Sequence, residues 1–283
     1  MHILVTGATG FIGTYFVDTY SSRYTITPFS FLKDNIETLE FQGVDVVVHL
    51  SALVHQMGGA SMEAYERINV TQTVALAHKA KNAGVKQFIF MSSVKVYGEE
   101  STKAYTEHTQ CIPVDAYGKS KLKAEVALQR LNDKHFTVST IRTPIVYGYG
   151  VKANIKNLVS LIKKMPILPF AKIYNRRSMV YIGNLCHLID VIIQKNIAGV
   201  FLSCDGETLS TTELIADIAQ ALNKKVYLIS IPLFEYSLRL FKPTFHARLY
   251  GNFEIDNSHT KKLLNLENPY TVQEGIDSML EEE

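Results

Sequence analysis

The N-terminal half of the chain alternates short apolar runs with stretches of helical period. HILVT, residues 2–6, reads as a strand, and FIGTYFVDTYSS, from Phe11, as the helix that follows it. YTITPFSF (24–31) reads as a second strand. VDVVVHLSA (44–52) is a nearly continuous apolar run, the pattern of a parallel strand covered on both faces. A helix is expected over 62–83, closed by Gly84. VKQFIFMSS (85–93) is the next strand, a helix follows over about 115–132, and FTVSTIRTPIVYG (136–148) is a further strand. This strand-helix alternation predicts an α/β fold, a Rossmann-type doubly wound parallel sheet.

After Gly150 the pattern loosens. Short helices are expected over 154–165, 183–195 and 210–222, the last capped by Ser210 or Thr211. VYLISIPLFEYSLRLF (226–241) reads as a strand and an amphipathic helix. Ser230, Pro232, Glu235 and Arg239 interrupt it, so it is not expected to insert into a membrane. The pattern divides the chain into a main domain over 1–150 and a smaller lobe over 151–283, partly interleaved with the sheet.

Composition narrows the classes without naming one. The 283 residues carry 29 basic and 27 acidic side chains, a balance that offers no handle for nucleic acid. Cys111, Cys186 and Cys204 lie too far apart for a zinc knuckle or a disulfide framework, which fits a reducing cytoplasm. Met1-His2-Ile3-Leu4-Val5 lacks the basic flank of a signal peptide. The nine histidines show no metal spacing. His49 reads as a core residue, His55 as a residue bordering the cleft, and Glu281, Glu282 and Glu283 as a solvated tail.

The first candidate chemistry is VTGATGFIG. It sets Gly7, Gly10 and Gly13 between the first strand and its helix. Glycines permit the tight turn and let backbone N–H groups approach a pyrophosphate, and the helix start adds a positive dipole end. Thr9, Phe11 and Ile12 share this loop, so it is expected to bind NAD(P). The second strand ends near Ser30, where an acidic residue would hold an NAD ribose. No carboxylate occurs there before Asp34, and Lys33 is close, which leans the expectation to NADP.

The second is DAYGKSKLKAE, where Tyr117 and Lys121 stand four residues apart on one helix face. A lysine cation near a phenol lowers its pKa, and a tyrosinate can exchange a proton with a sugar hydroxyl or ketone as a hydride moves. Ser93, at the end of an intervening strand, would complete the group.

With VVVHLSA, YERINVTQT, SSVKVYGE, YGKSK and RTPIVYG following the glycine loop in this order, the chain resembles an extended short-chain dehydrogenase/reductase. The branch is the NAD-dependent epimerase/dehydratase family acting on nucleotide sugars. NRRSMVYIGNL, TTELIADIAQAL and RLYGNFEIDNSHTKKLLNLENPYTVQEGI resemble most its bacterial surface-polysaccharide 4-epimerases and 4-keto reductases.

The resemblance implies that Ser93 bonds the oxygen at the reacting carbon. It makes Tyr117 the acid/base and has Lys121 bind the nicotinamide ribose. Asn69 would steady the strand beside the cofactor, with further cofactor contacts at Leu50, Ser51, Ala52 and Pro144. Val94, Asn154, Arg177 and Arg248 would touch the nucleotide sugar, the arginines at its diphosphate. It also implies a homodimer built on the helices over 62–83 and 115–132.

Sugar 4,6-dehydratases of this family carry Asp-Glu after the strand-end hydroxyl. Val94 and Lys95 stand there instead, which disfavours dehydration. What remains is hydride chemistry at C4 of a nucleotide-linked, UDP-type hexose. 4-keto reduction is preferred because of the NADP lean, with 4-epimerisation on retained NAD as the alternative and a non-catalytic dinucleotide sensor as a minor one. Lys95 itself is read as either solvent-facing or in contact with substrate.

Overall fold

The computed structural model describes residues 1–54 and 60–280; His55 and the three terminal glutamates lie outside them. The first half supplies β1 (His2–Thr6), α1 (Phe11–Tyr20), β2 (Thr25–Phe29), β3 (Val46–His49), α2 (Met62–Tyr65), α3 (Thr73–Asn82), β4 (Gln87–Ser93), α4 (Ala116–Gln129), β5 (Thr137–Thr143) and β6 (Ile145–Tyr147). The second adds α5 (Ala153–Lys164), β7 (Ile167–Leu168), β8 (Arg177–Tyr181), α6 (Ile182–Lys195) and β9 (Gly199–Leu202). It ends with β10 (Thr208–Leu209), α7 (Thr211–Ala221), β11 (Tyr227–Leu228), α8 (Phe234–Phe241), α9 (Pro243–Tyr250), α10 (Ser258–Leu264) and α11 (Val272–Leu280).

Six strands form an all-parallel sheet in the order β2-β1-β3-β4-β5-β9. Alternation along each strand sends neighbours to opposite faces. Ile3, Val5, Val46, Val48, Ile89 and Met91 join one core with α1 and α6. Leu4, Val47, Phe88 and Phe90 join another with Leu76 and Leu128 of α3 and α4. Both faces are therefore apolar, which is why these strands read as unbroken hydrophobic runs. Each such side chain contributes roughly 1.5–3 kcal/mol by leaving water. β9 comes from beyond residue 150, so the second half completes the sheet. Two small sheets, β10-β8-β6 and β11-β7, carry the rest of the lobe.

Two elements differ from the sequence expectation. The single strand over 136–148 breaks at Pro144, whose missing N–H cannot serve the ladder; β5 stays in the main sheet and β6 pairs with β8. The single helix over 62–83 becomes α2, a π-helical stretch Glu66–Gln72, and α3. The wider turn carries Asn69 inward, and Gly84 ends the helix at positive φ as expected. Ser210 is the cap of α7, in a capping box with Glu213. Among the described residues no helix is long and apolar enough to cross a membrane.

Candidate active site

The glycine loop follows β1 directly. Gly7 has φ +70°, and a Cβ there would lie 2.9 Å from the Ser51 nitrogen. A Cβ on Gly13 would lie 2.2 Å from the Gly7 carbonyl oxygen, so only glycine lets α1 pack against the turn. Thr9 and Gly10 are exposed at the opening, Phe11 and Ile12 half-buried, and the first turn of α1 holds no acidic residue. These residues fit a pyrophosphate cradled on backbone N–H groups. Ser51 N–H donates to Thr6 Oγ1 (3.2 Å) and Leu50 N–H to the Thr6 carbonyl (3.2 Å), fixing the loop that continues through Ala52 beside the glycines.

Asn69 holds the far side of that loop. Its Oδ1 accepts from Leu53 N–H (2.8 Å), and its Nδ2 donates to the Leu53 carbonyl and to Ser120 Oγ, both at 3.0 Å. One buried amide therefore ties the cofactor-side loop to α4, which carries Tyr117 and Lys121. Ser120, its partner there, carried no signal in the sequence beyond lying between the two.

Beyond the end of β2 lies the segment on which the NADP expectation rests. The chain turns back, with Lys33 and Asp34 N–H both donating to the Ser30 carbonyl. The Asp34 carboxylate accepts from Ser30 N–H at 2.7 Å. A carboxylate does sit at the strand end, delivered by the turn and not by linear sequence position.

Ser93, Tyr117 and Lys121 meet at the carboxyl end of β4. Asp115 caps α4 by accepting from Gly118 N–H at 2.6 Å. A Cβ on Gly118 would lie 2.6 Å from the Lys95 carbonyl, so this glycine brings Tyr117 against the turn that follows Ser93. Burial pushes the Tyr117 phenol up to about 12, with the Ser93 side chain acting against it and the Asp115 and Tyr65 charges adding to it. Lys121 is not among the groups acting on this phenol, which burial dominates. Lys121 Nζ donates to the Met91 carbonyl (2.8 Å) and lies 4.7 Å above the Phe90 ring and 5.9 Å from that of Tyr117. Burial lowers Lys121 itself to about 7, partly offset by Glu125.

Glu125 is the residue the sequence reading missed, though it lies four positions beyond Lys121 on the same face. Its carboxylate is buried with Arg142 (2.7 Å to Nη2), accepts a short bond from the Ser92 hydroxyl, and Arg142 donates onward to Tyr97 Oη at 2.8 Å. This network locks the ends of β4 and β5 beneath Ser93.

Val94 turns its side chain into an apolar cluster with Leu202 and Phe253. Lys95 is half-buried, paired with Glu99 and 3.6 Å from Asp115. Pro144 is buried at the β5–β6 break. Tyr147 is a packing residue whose hydroxyl donates to Asp205 at 2.7 Å. His49 is core, its ring nitrogens on Thr6 Oγ1 (2.8 Å) and Thr73 Oγ1 (2.9 Å).

Arg177 Nη1 donates to the Gly251 and Ala247 carbonyls (3.0 and 3.5 Å), at the end of α9. Burial lowers its pKa; Glu100 and Glu99 oppose this and the Arg248 charge adds to it, so the two arginines are electrostatic neighbours. Arg176 is instead committed to a bidentate pair with Glu254. Asn154 is exposed on a separate element, the first turn of α5.

The NAD dependent epimerase/dehydratase family model matches residues 3–201. A UDP-glucose 4-epimerase of Vibrio cholerae is 39% identical, aligned over 97% of this chain and 93% of its own. The N-acetyl-alpha-D-glucosaminyl-diphospho-ditrans,octacis-undecaprenol 4-epimerase of Escherichia coli O157:H7 is 29% identical over 82% of this chain and 75% of its own. Among solved structures, the UDP-glucuronic acid 4-epimerase from Bacillus cereus in complex with NAD superposes with a TM-score of 0.80 at 21% identity, covering 98% and 97% of the two chains. The chain belongs to the NAD dependent epimerase/dehydratase family and is an enzyme of the nucleotide-sugar 4-epimerase or 4-keto reductase kind.

Proposed function

We propose that this family member is a nucleotide-sugar 4-epimerase that inverts C4 of a UDP-linked hexose on retained NAD. The observation that carries the reading is the convergence of Ser93, Tyr117 and Lys121 at the end of β4, where Val94 and Lys95 stand in place of an acidic pair. That supports redox chemistry at a single carbon and not elimination. The Vibrio cholerae relative supports inversion over net reduction, and so does Asp34, because the preference for a reductase rested on NADP.

NAD, when bound, supplies a hydride acceptor at C4 that later returns the hydride. The glycine loop would hold its pyrophosphate, Asp34 its adenosine ribose, and Lys121 its nicotinamide ribose. Ser93 would bond the C4 oxygen and Tyr117 would move the proton there. A phenol pushed up to about 12 stays protonated at neutral pH, so it holds the proton that the 4-keto oxygen needs as the hydride returns. Taking the proton off the C4 hydroxyl calls on the Ser93 bond and the Lys121 charge to stabilise the phenolate. Arg177 and Arg248 would hold the diphosphate. Exposed Met62 and Val126, on α2 and α4, support a homodimer through these helices.

The test is turnover of UDP-glucose and UDP-N-acetylglucosamine by protein as purified, without added cofactor. An epimerase interconverts C4 isomers and releases NAD on denaturation. Reduction of a UDP-4-keto-hexose, consuming one NADPH per sugar, with no interconversion of the 4-hydroxy isomers, would establish the reductase instead. Tyr117→Phe should retain NAD and lose about 10²–10⁴-fold in kcat.

A further inference from the structure

The lobe carries a broad apolar face that the active site does not use. On the β7–β11 ribbon Ile167 and Tyr227 are register partners and both are exposed, while the next residue, Leu168, turns into the core. The Ala171 N–H bond to the Ile229 carbonyl extends the ribbon, and exposed Ile229 and Ile231 continue the outer row. The row runs on into α8. Leu233, Tyr236 and Leu240 recur at helical spacing on the outward side and are 79%, 65% and 61% exposed; Phe241, two turns beyond Phe234 on the adjoining side, is 78% exposed. At the start of α8, Phe234 on that adjoining side packs against Phe170. So α8 is anchored through Phe234 while Tyr236, Leu240 and Phe241 stay exposed.

Charge surrounds this band unevenly. From Asn223 to Tyr250 the chain has Lys224, Lys225, Arg239, Lys242 and Arg248 against Glu235 alone, in a molecule otherwise close to balance. Lys224 donates to the Lys163 carbonyl, which sets it beside Lys163 and Lys164 at the end of α5, and Glu235 is engaged by His246 at 3.4 Å. Exposed aromatic and aliphatic side chains rimmed by cations are the chemistry of a segment lying in the plane of an anionic membrane surface. Self-association through the same face would press these cations against one another, whereas an anionic surface neutralises them.

We propose that the β11–α8 face docks this protein onto an anionic lipid surface, without spanning it. The face is coupled to the substrate lobe. α9 follows α8 directly, and its Ala247 carbonyl and that of Gly251 take the Arg177 bonds, so docking would orient the diphosphate arginines relative to the bilayer. The proposal does not depend on which sugar is turned over.

Co-sedimentation of the full chain with vesicles of phosphatidylcholine, with and without phosphatidylglycerol, tests it. Binding is expected with phosphatidylglycerol, weakening as salt rises and falling roughly fivefold for each cation removed in Lys224→Ser and Lys225→Ser. The double variant Leu240→Glu, Phe241→Glu should lose vesicle binding and keep UDP-sugar turnover, which also reports that it folds. Tyr236→Ser supplies an independent, milder loss. Equal binding to neutral vesicles, no binding to either kind, or full binding by the Glu variants would overturn the proposal. So would a fall in molar mass by light scattering for those variants without any lipid binding, since a protein partner would then own the face.

Discussion

β4 and α8 are built from similar residue types and behave oppositely. All seven residues of β4 are buried, whereas α8 and α9 bury none of theirs. Phe88 is sealed between sheet and helix; Phe241 faces solvent. The difference is in what lies on either side. β4 has a strand at each edge and a helical layer on each face, so every direction a side chain can take leads into protein. α8 leans on the lobe along one side only. The sealed region holds Ser93 and Lys121 in place, and the half-covered one carries the face proposed to dock.

The sharpest way to break this contrast is to truncate one aromatic in each region. Phe88→Ala should cost about 3–5 kcal/mol by opening a cavity in a fully packed layer. Tyr236→Ala should change stability by no more than about 0.5 kcal/mol. Urea denaturation reads both. Equal costs would mean that α8 is covered in solution and that the comparison is false.

Next in size is the network under the site. Glu125→Gln leaves Arg142 buried without its counter-charge and should cost about 3 kcal/mol. A double-mutant cycle with Arg142→Met should recover part of that loss, because the stranded guanidinium is gone. Additive losses would show that the two side chains do not act as a pair.

The same contrast explains what could be read from the sequence. The main sheet was legible because double-sided burial writes itself as VVVH and FIFM, and the glycine loop because its spacing is a steric requirement that the Gly7 and Gly13 contacts make explicit. The grouping of Tyr117 with Lys121 followed from helix geometry. Asp34 was missed as a strand-end carboxylate because a turn, not a strand, delivers it to Ser30. The burial of the Tyr117–Lys121 pair was not legible, because spacing says nothing about burial, which here raises the phenol and lowers the ammonium. The π-helical turn at Asn69 left no trace in the periodicity, since one extra residue per turn is lost in the scatter of a helical pattern.

Between the two regions sits Arg177, on β8 but bonded to carbonyls at the end of α9. If the half-covered segment serves the substrate, Arg177→Ala should raise KM roughly 10–100-fold and leave kcat within a few-fold, the mark of uniform binding lost. Arg176→Ala, which only releases Glu254, should leave KM unchanged. A kcat loss without a KM change would move Arg177 from substrate holding to the architecture of the site.

The smallest effect expected belongs to the sealed half, and it is a pH dependence. His49 is buried between Thr6 and Thr73 among Phe31, Phe88 and Phe90, and burial lowers its pKa from 6.5 to about 3. Between these two values the unfolded chain takes up a proton that the folded chain refuses, so stability rises with pH across the window and is lost on acidification. The loss should be about 1 kcal/mol between pH 6.5 and about 5.5, steepening below that toward about 1.4 kcal/mol per pH unit. Lys121 acts in a separate window: its folded value near 7 lies below the ordinary 10.5, so its contribution also improves as pH rises, but only above neutrality. Denaturation midpoints for the native protein and His49→Phe, followed from pH 7 down to about 5, isolate the histidine. The variant should lose the slope even if its absolute stability is lower, because two threonine hydroxyls are left without their ring partner. An unchanged slope would mean that the proton taken up on acid unfolding goes elsewhere, and that the His49 ring is open to water in a way its packing under the sheet does not allow.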